Sequence, residues 1–89
     1  MTVAALFGAN LAYCRNLTGL SQEEVGIRAD LHRTEISQLE RGLRCPRIDT
    51  VVKLAAVLGV TVEELLDGIV WRPAEIRPGS FHVPEEAGP

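Results

Sequence analysis

Aromatic side chains are scarce in this 89-residue chain, which holds one Trp, one Tyr and two Phe. A core must therefore be assembled from Leu, Val, Ile and Ala, which suits packed helices better than a sandwich of strands. Long apolar runs are lacking as well. A stretch such as Leu54 to Val60, itself containing Gly59, falls far short of the roughly 20 residues that span a bilayer. No basic region followed by an apolar segment opens the sequence, so no secretory signal is expected and the cytoplasm is the expected compartment. Metal-ligand spacing is absent: neither C-x-x-C nor H-x-x-x-H occurs among Cys14, Cys45, His32 and His82. Cys14 falls on an apolar helical stripe and Cys45 sits beside Pro46, so both are expected to be reduced, idle thiols. No nucleophile–base pair and no phosphate-cradling glycine loop can be found, so neither an enzyme nor a cofactor is expected. Ser21 is sufficiently explained by helix capping.

Positive charge is also short, with nine basic residues against 12 acidic ones. The deficit is unevenly placed. Residues 1–60 carry seven basic and six acidic residues, and residues 61–89 carry two basic and six acidic, leaving +1 and −4. Four arginines, Arg33, Arg41, Arg44 and Arg47, crowd into one short stretch. A phosphate backbone would feel that local cluster more than the net charge, although the overall sign predicts weak non-specific binding to nucleic acid.

What is present is helical punctuation. Phe7, Leu11, Cys14 and Leu17 or Thr18 recur at helical spacing and predict a helix from Val3 to Leu17, closed by Thr18-Gly19. Ser21-Gln22-Glu23-Glu24 forms a capping box that opens a second helix to about Ala29, with Val25 and Ala29 inward. Asp30-Leu31-His32 interrupts it. A third helix from about Arg33 to Arg41 turns Ile36 and Leu39 to the core and stops at Gly42. Arg44-Cys45-Pro46-Arg47 reads as a loop, because the residue before Pro is pushed away from helical geometry. Ile48 to Leu58 forms a fourth helix ended by Gly59, and the Thr61-Val62-Glu63-Glu64 capping box opens a short fifth through Leu66, closing at Gly68. The expected fold is all-α, a five-helix bundle over residues 1–68, followed by a tail over 69–89. In that tail, Ile69–Pro73 and Ser80–Pro84 are β-prone. They read either as a largely disordered tail with one aromatic tucked against the bundle, or as a loose hairpin or strand that pairs with a second subunit. A lone two-stranded hairpin is marginal in water and needs a surface to lie on. Glu85 to Pro89 are expected to be unstructured.

Residues 21–41 have the form of two short helices joined by a tight turn, the arrangement in which the second helix reads a DNA groove. The turn needs a residue tolerant of positive φ, which Asp30 supplies. Gly26, inside the second helix, is expected to allow a close approach of the second and third helices. At this point the sequence resembles the XRE-type regulators related to phage Cro and repressor proteins. The resemblance rests on Leu20-Ser21-Gln22-Glu23-Glu24-Val25, Ile36-Ser37-Gln38-Leu39-Glu40-Arg41-Gly42, Pro46, Leu54-Ala55-Ala56-Val57-Leu58-Gly59-Val60 and Glu64-Leu65-Leu66, in order over residues 4–67. Gly26, Asp30 and His32 depart from the Ala, Gly and Ser or Thr usual in that family.

Arg33, Thr34, Ser37 and Gln38 lie opposite or beside Ile36 and Leu39 and are the expected base readers: Arg suits guanine O6 and N7, Gln suits adenine, and a Thr methyl suits thymine. Gln22, at the start of the second helix, is placed to donate to a phosphate, the role the resemblance also implies; the bland alternative is a capping slot. Arg44 and Arg47 suit phosphates or the edge of the minor groove. Glu35 could accept from cytosine, but at the start of a helix it reads first as dipole stabilisation. His32 reads as a helix cap. The resemblance pairs Arg15 with Glu40 as a structural ion pair. Trp71 and Phe81 are candidates for a dimer or docking surface. The expected function is a sequence-specific transcriptional regulator, acting as a homodimer and a repressor on a double-stranded operator. The alternative is an antitoxin or adaptor that uses the same bundle as scaffold and meets a protein partner through the aromatics and acidic tail.

Overall fold

The computed structural model of the protein describes residues 1–74 and 78–82, so the expectation for Glu85 to Pro89 lies outside the described residues. The elements run α1 (Val3–Thr18), α2 (Gln22–Ala29), α3 (Arg33–Glu40), α4 (Ile48–Leu58), α5 (Val62–Leu65), β1 (Val70–Arg72) and β2 (Ser80–His82). The five expected helices are present. Helix α1 runs one residue further than expected, α3 ends one residue sooner with Arg41 as its cap, and α5 is a single turn.

Local chemistry accounts for most of the boundaries. Thr2 Oγ1 accepts the Ala5 amide at 3.0 Å and starts α1. Both capping boxes form in full. Ser21 Oγ takes the Glu24 amide at 3.0 Å while Glu24 Oε1 takes the Ser21 amide at 2.9 Å, and Thr61 and Glu64 repeat the exchange at 3.1 and 2.7 Å. The Ser21 amide first, and the Ser21 hydroxyl second, hold the Glu24 carboxyl below its ordinary pKa. His32 caps α3 as expected, its Nδ1 accepting the Thr34 amide at 3.1 Å. Asp30 carries φ 57°, and is the only non-glycine with positive φ among the described residues. Its αL geometry makes the tight turn between α2 and α3.

The core joins Phe7, Leu11 and Cys14 of α1, Val25 and Ala29 of α2, Ile36 and Leu39 of α3, Val51, Leu54, Ala55 and Leu58 of α4, and Leu65 of α5. Phe7 is the one aromatic in it. Each large apolar side chain buried there stabilises the fold by about 1.5–3 kcal/mol. Leu17, one of two candidates to extend the α1 stripe, is instead 71 % exposed. With Tyr13 it lines an open groove of about 600 Å³ between α1 and α5. Asn10 ties those two helices, donating from Nδ2 to the carbonyls of Leu65 and Asp67 at 2.9 Å each.

Two close approaches fix the helix spacing. A Cβ on Gly26 would lie 2.7 Å from the Leu31 carbonyl oxygen and 3.4 Å from the Arg33 nitrogen, so Gly26 lets α2 sit against the turn and the start of α3. A Cβ on Gly8 would lie 2.4 Å from the Leu39 oxygen and 2.7 Å from the Glu40 oxygen, which sets α1 directly on the end of α3. The second contact carries no sequence signature, since Gly8 sits inside an otherwise regular apolar pattern.

The tail forms a short antiparallel pair with Val70 opposite His82, Trp71 opposite Phe81 and Arg72 opposite Ser80. The Trp71 and Phe81 rings meet edge to face, 5.1 Å apart. Each remains 52 % exposed, so neither is tucked into the bundle. Cys14 and Cys45 are both free, the first buried and the second exposed. Burial first, and the Glu64 carboxylate second, push the Cys14 thiol above its ordinary pKa. Among the described residues no helix is long and apolar enough to cross a membrane.

Candidate nucleic-acid interface

Helix α3 divides cleanly. Ile36 and Leu39 are fully buried, while Arg33 and Thr34 are exposed and Ser37 and Gln38 half-buried on the remaining surface. This follows from 3.6-residue periodicity: two core residues three apart leave 33, 34, 37, 38 and 41 on the other side. All four expected readers therefore share one accessible strip. Arg41 extends it, its Nε lying 3.4 Å from the Ser37 carbonyl oxygen. From the sequence Arg41 counts only in the cationic cluster; its spacing of four from Ser37 is the signal that would have placed it on the strip. Beside the strip, Glu23, Ile27, Leu31, His32, Arg33 and Thr34 line a shallow depression between α2 and the start of α3.

One polar network braces this helix from behind. Arg15 of α1 donates from Nε to Glu40 Oε2 at 2.5 Å and from Nη2 to Glu40 Oε1 at 3.0 Å, and its Nη1 reaches the Leu20 carbonyl at 3.0 Å. The two side chains are 16 % and 7 % exposed, so the expected ion pair is a partly buried, two-pronged one. The hydrogen bond to Glu40 raises the Arg15 pKa further, against the opposing effect of burial. Gln22 joins the same carboxylate, its Nε2 donating to Glu40 Oε1 at 3.0 Å. An amide nitrogen carries two hydrogens, so one donor of Gln22 is left for an external acceptor at the start of α2. The sequence puts Gln22 at that end of the helix but carries no sign that Glu40 orients it.

The loop after α3 brings back the remaining cations. Gly42 has φ 69°, the Gly42 amide donates to Leu39 and the Leu43 amide to Gln38, a Schellman closure that reverses the chain. Arg44 thereby lies alongside α3, its Nη2 2.9 Å from Glu35 Oε2. Arg47, 85 % exposed, lies 3.4 Å from Asp49. Glu35 is thus both a first-turn carboxylate and the partner of a loop arginine. Among the described residues no cluster of three His, Cys, Asp or Glu is placed to hold a metal.

A helix-turn-helix family model matches residues 11–65. The control protein C.BamHI of Bacillus amyloliquefaciens is 39 % identical over 66 residues, spanning 73 % of this chain and 82 % of that protein. The crystal structure of the restriction-modification controller protein C.AhdI from Aeromonas hydrophila superposes with a TM-score of 0.68 at 34 % identity, covering 70 % of this chain and 94 % of that one. A crystal structure of the biofilm master regulator SinR in complex with DNA superposes at a TM-score of 0.66 and 34 % identity, covering 68 % of this chain and 98 % of that one. The match takes in the second half of α1, then α2, the Asp30 turn, α3, α4 and α5, and this chain belongs to the XRE-type helix-turn-helix family of DNA-binding transcription regulators, a family of regulators and not of enzymes.

Proposed function

We propose that this chain is a sequence-specific transcription regulator of the cytoplasm, working as a homodimer and repressing from a double-stranded operator. The observation that carries the reading is the accessible polar strip of α3, held rigidly by the Arg15–Glu40–Gln22 network and flanked by arginines. Residues 1–68 act as the DNA-binding unit and 69–89 as an appendage. Arg33, Thr34, Ser37 and Gln38 face base edges in the major groove, and Gln22 and Arg47 face phosphates, joined by Arg44 where it is released from Glu35. That the 34 % identical SinR structure is a complex with DNA supports DNA binding by this bundle. A single such module reads only a few base pairs, so tight binding calls for two copies on half-sites about one helical turn apart.

The test begins with selection of bound sequences from a random DNA pool. Arg33→Ala and Gln38→Ala are each expected to weaken binding to the selected operator by about 1–3 kcal/mol and to relax preference at one position. If both variants keep wild-type affinity and base preference, α3 is not the reader.

Trp71 and Phe81 favour a role for the tail in bringing two copies together, because each leaves half its surface in water on a hairpin too small to stand alone. Truncation after Gly68 is expected to yield a monomer in sedimentation or light scattering, with operator affinity falling steeply. An unchanged dimer would exclude the tail. The same exposed pair supports a second reading, an antitoxin or adaptor docking a protein partner. Salt separates the two, since phosphate contacts weaken steeply as salt rises and an apolar contact does not.

A further inference from the structure

We infer that Glu35 sets the DNA affinity of this chain by holding Arg44 as an internal ion pair and so withholding one cation from the phosphate backbone. The inference rests on the reading of α3 as the DNA-facing helix.

The arginines on and beside the reading strip are treated differently by the fold. Arg33 has no carboxylate partner among the described residues. Arg47 meets Asp49 at 3.4 Å with the two side chains 85 % and 55 % exposed, a loose pair that water and salt screen. Arg44 meets Glu35 at 2.9 Å, with exposures of 51 % and 28 %. That contact is shorter and better shielded. The Gly42 and Leu43 amides, bonded back to Leu39 and Gln38, reverse the chain after α3, and from there the Arg44 side chain reaches Glu35 in the first turn. Glu35 is held there in its turn, because a carboxylate in the first turn of a helix faces the positive end of the dipole.

A guanidinium neutralised this way brings no net charge to DNA. Its partner carboxylate is itself 28 % exposed at the start of α3. Counterion release makes this a quantitative matter. Each phosphate neutralised by a free cation steepens the slope of log K against log salt by about 0.9, worth about eightfold in affinity near 0.1 M salt. The gain applies to any sequence, because a phosphate contact carries no base information. Glu35 therefore restrains binding at every site alike, and base contacts decide where the protein rests.

The experiment measures affinity for the selected operator and for a mixed-sequence duplex across a salt series. It compares the full chain with Glu35→Gln, Arg44→Ala and the double variant, each checked for wild-type melting. Glu35→Gln is expected to bind both duplexes about five- to tenfold more tightly near 0.1 M salt, with a slope steeper by about 0.9. Arg44→Ala is expected to abolish that gain in the double variant. An unchanged slope in Glu35→Gln would overturn the inference. So would a flattening by about 0.9 in Arg44→Ala alone, which would place Arg44 on a phosphate despite Glu35. A change of base preference at one operator position, without tighter binding to the mixed duplex, would make Glu35 a reader instead. A wild-type chain that binds neither duplex would remove the DNA-facing reading of α3 itself, and this inference with it.

Discussion

Gly8→Ala is expected to lower the thermal midpoint by about 10–20 °C, through a loss of about 2–3 kcal/mol. The added Cβ would lie 2.4 Å from the Leu39 carbonyl oxygen and 2.7 Å from that of Glu40. Both neighbours are backbone atoms of a helix end, so no side chain can rotate away to make room. Helix α1 must move off α3, and Phe7 and Leu11, both fully buried, move with it. The intrinsic preference of Ala for helix, about 1 kcal/mol over Gly, acts in the opposite direction and is outweighed. Circular dichroism melting checks the result. A midpoint within about 2 °C of wild type would mean that α1 stands farther from α3 than described.

Glu40→Ala is expected to cost about 2–4 kcal/mol, below the 3–5 typical of a fully buried pair because Arg15 keeps some solvent contact. The substitution leaves Arg15, 16 % exposed, with only the Leu20 carbonyl, and removes the acceptor of the Gln22 amide. Most of that loss comes from stranding a charge, not from the intrinsic worth of the pair. The double replacement Arg15→Met with Glu40→Leu is therefore expected to recover much of the stability. Denaturant unfolding of the single and double variants measures the difference. If the double variant is no more stable than Glu40→Ala, stranded charge is not the cause. The two routes also differ in DNA binding. Stability returns in the double variant, but Gln22 still lacks the carboxylate that orients it, so operator affinity stays reduced.

Much of the bundle was legible in the sequence because its signals are local. Capping boxes at Ser21 and Thr61, a left-handed turn at Asp30 and glycines after α1 and α4 each act within a few residues, and each appears where expected. The reading strip was legible for the same reason, since Ile36 and Leu39 fix which side of α3 remains outside. Gln22 illustrates the boundary. Its place at the start of α2 follows from the capping box, but its tie to Glu40 joins residues 18 apart and depends on how α2 crosses α3.

Where helices start and stop, which of their sides turn inward and which side of α3 is polar could all be read along the chain, because spacing and capping are set by covalent neighbours. It took packing to show that Gly8 lies on the backbone of α3, that Leu17 faces water and that Trp71 meets Phe81 edge to face. Packing also decided that Arg44 pairs with Glu35. Those outcomes depend on how separate segments come to lie against one another, which packing sets and local spacing does not.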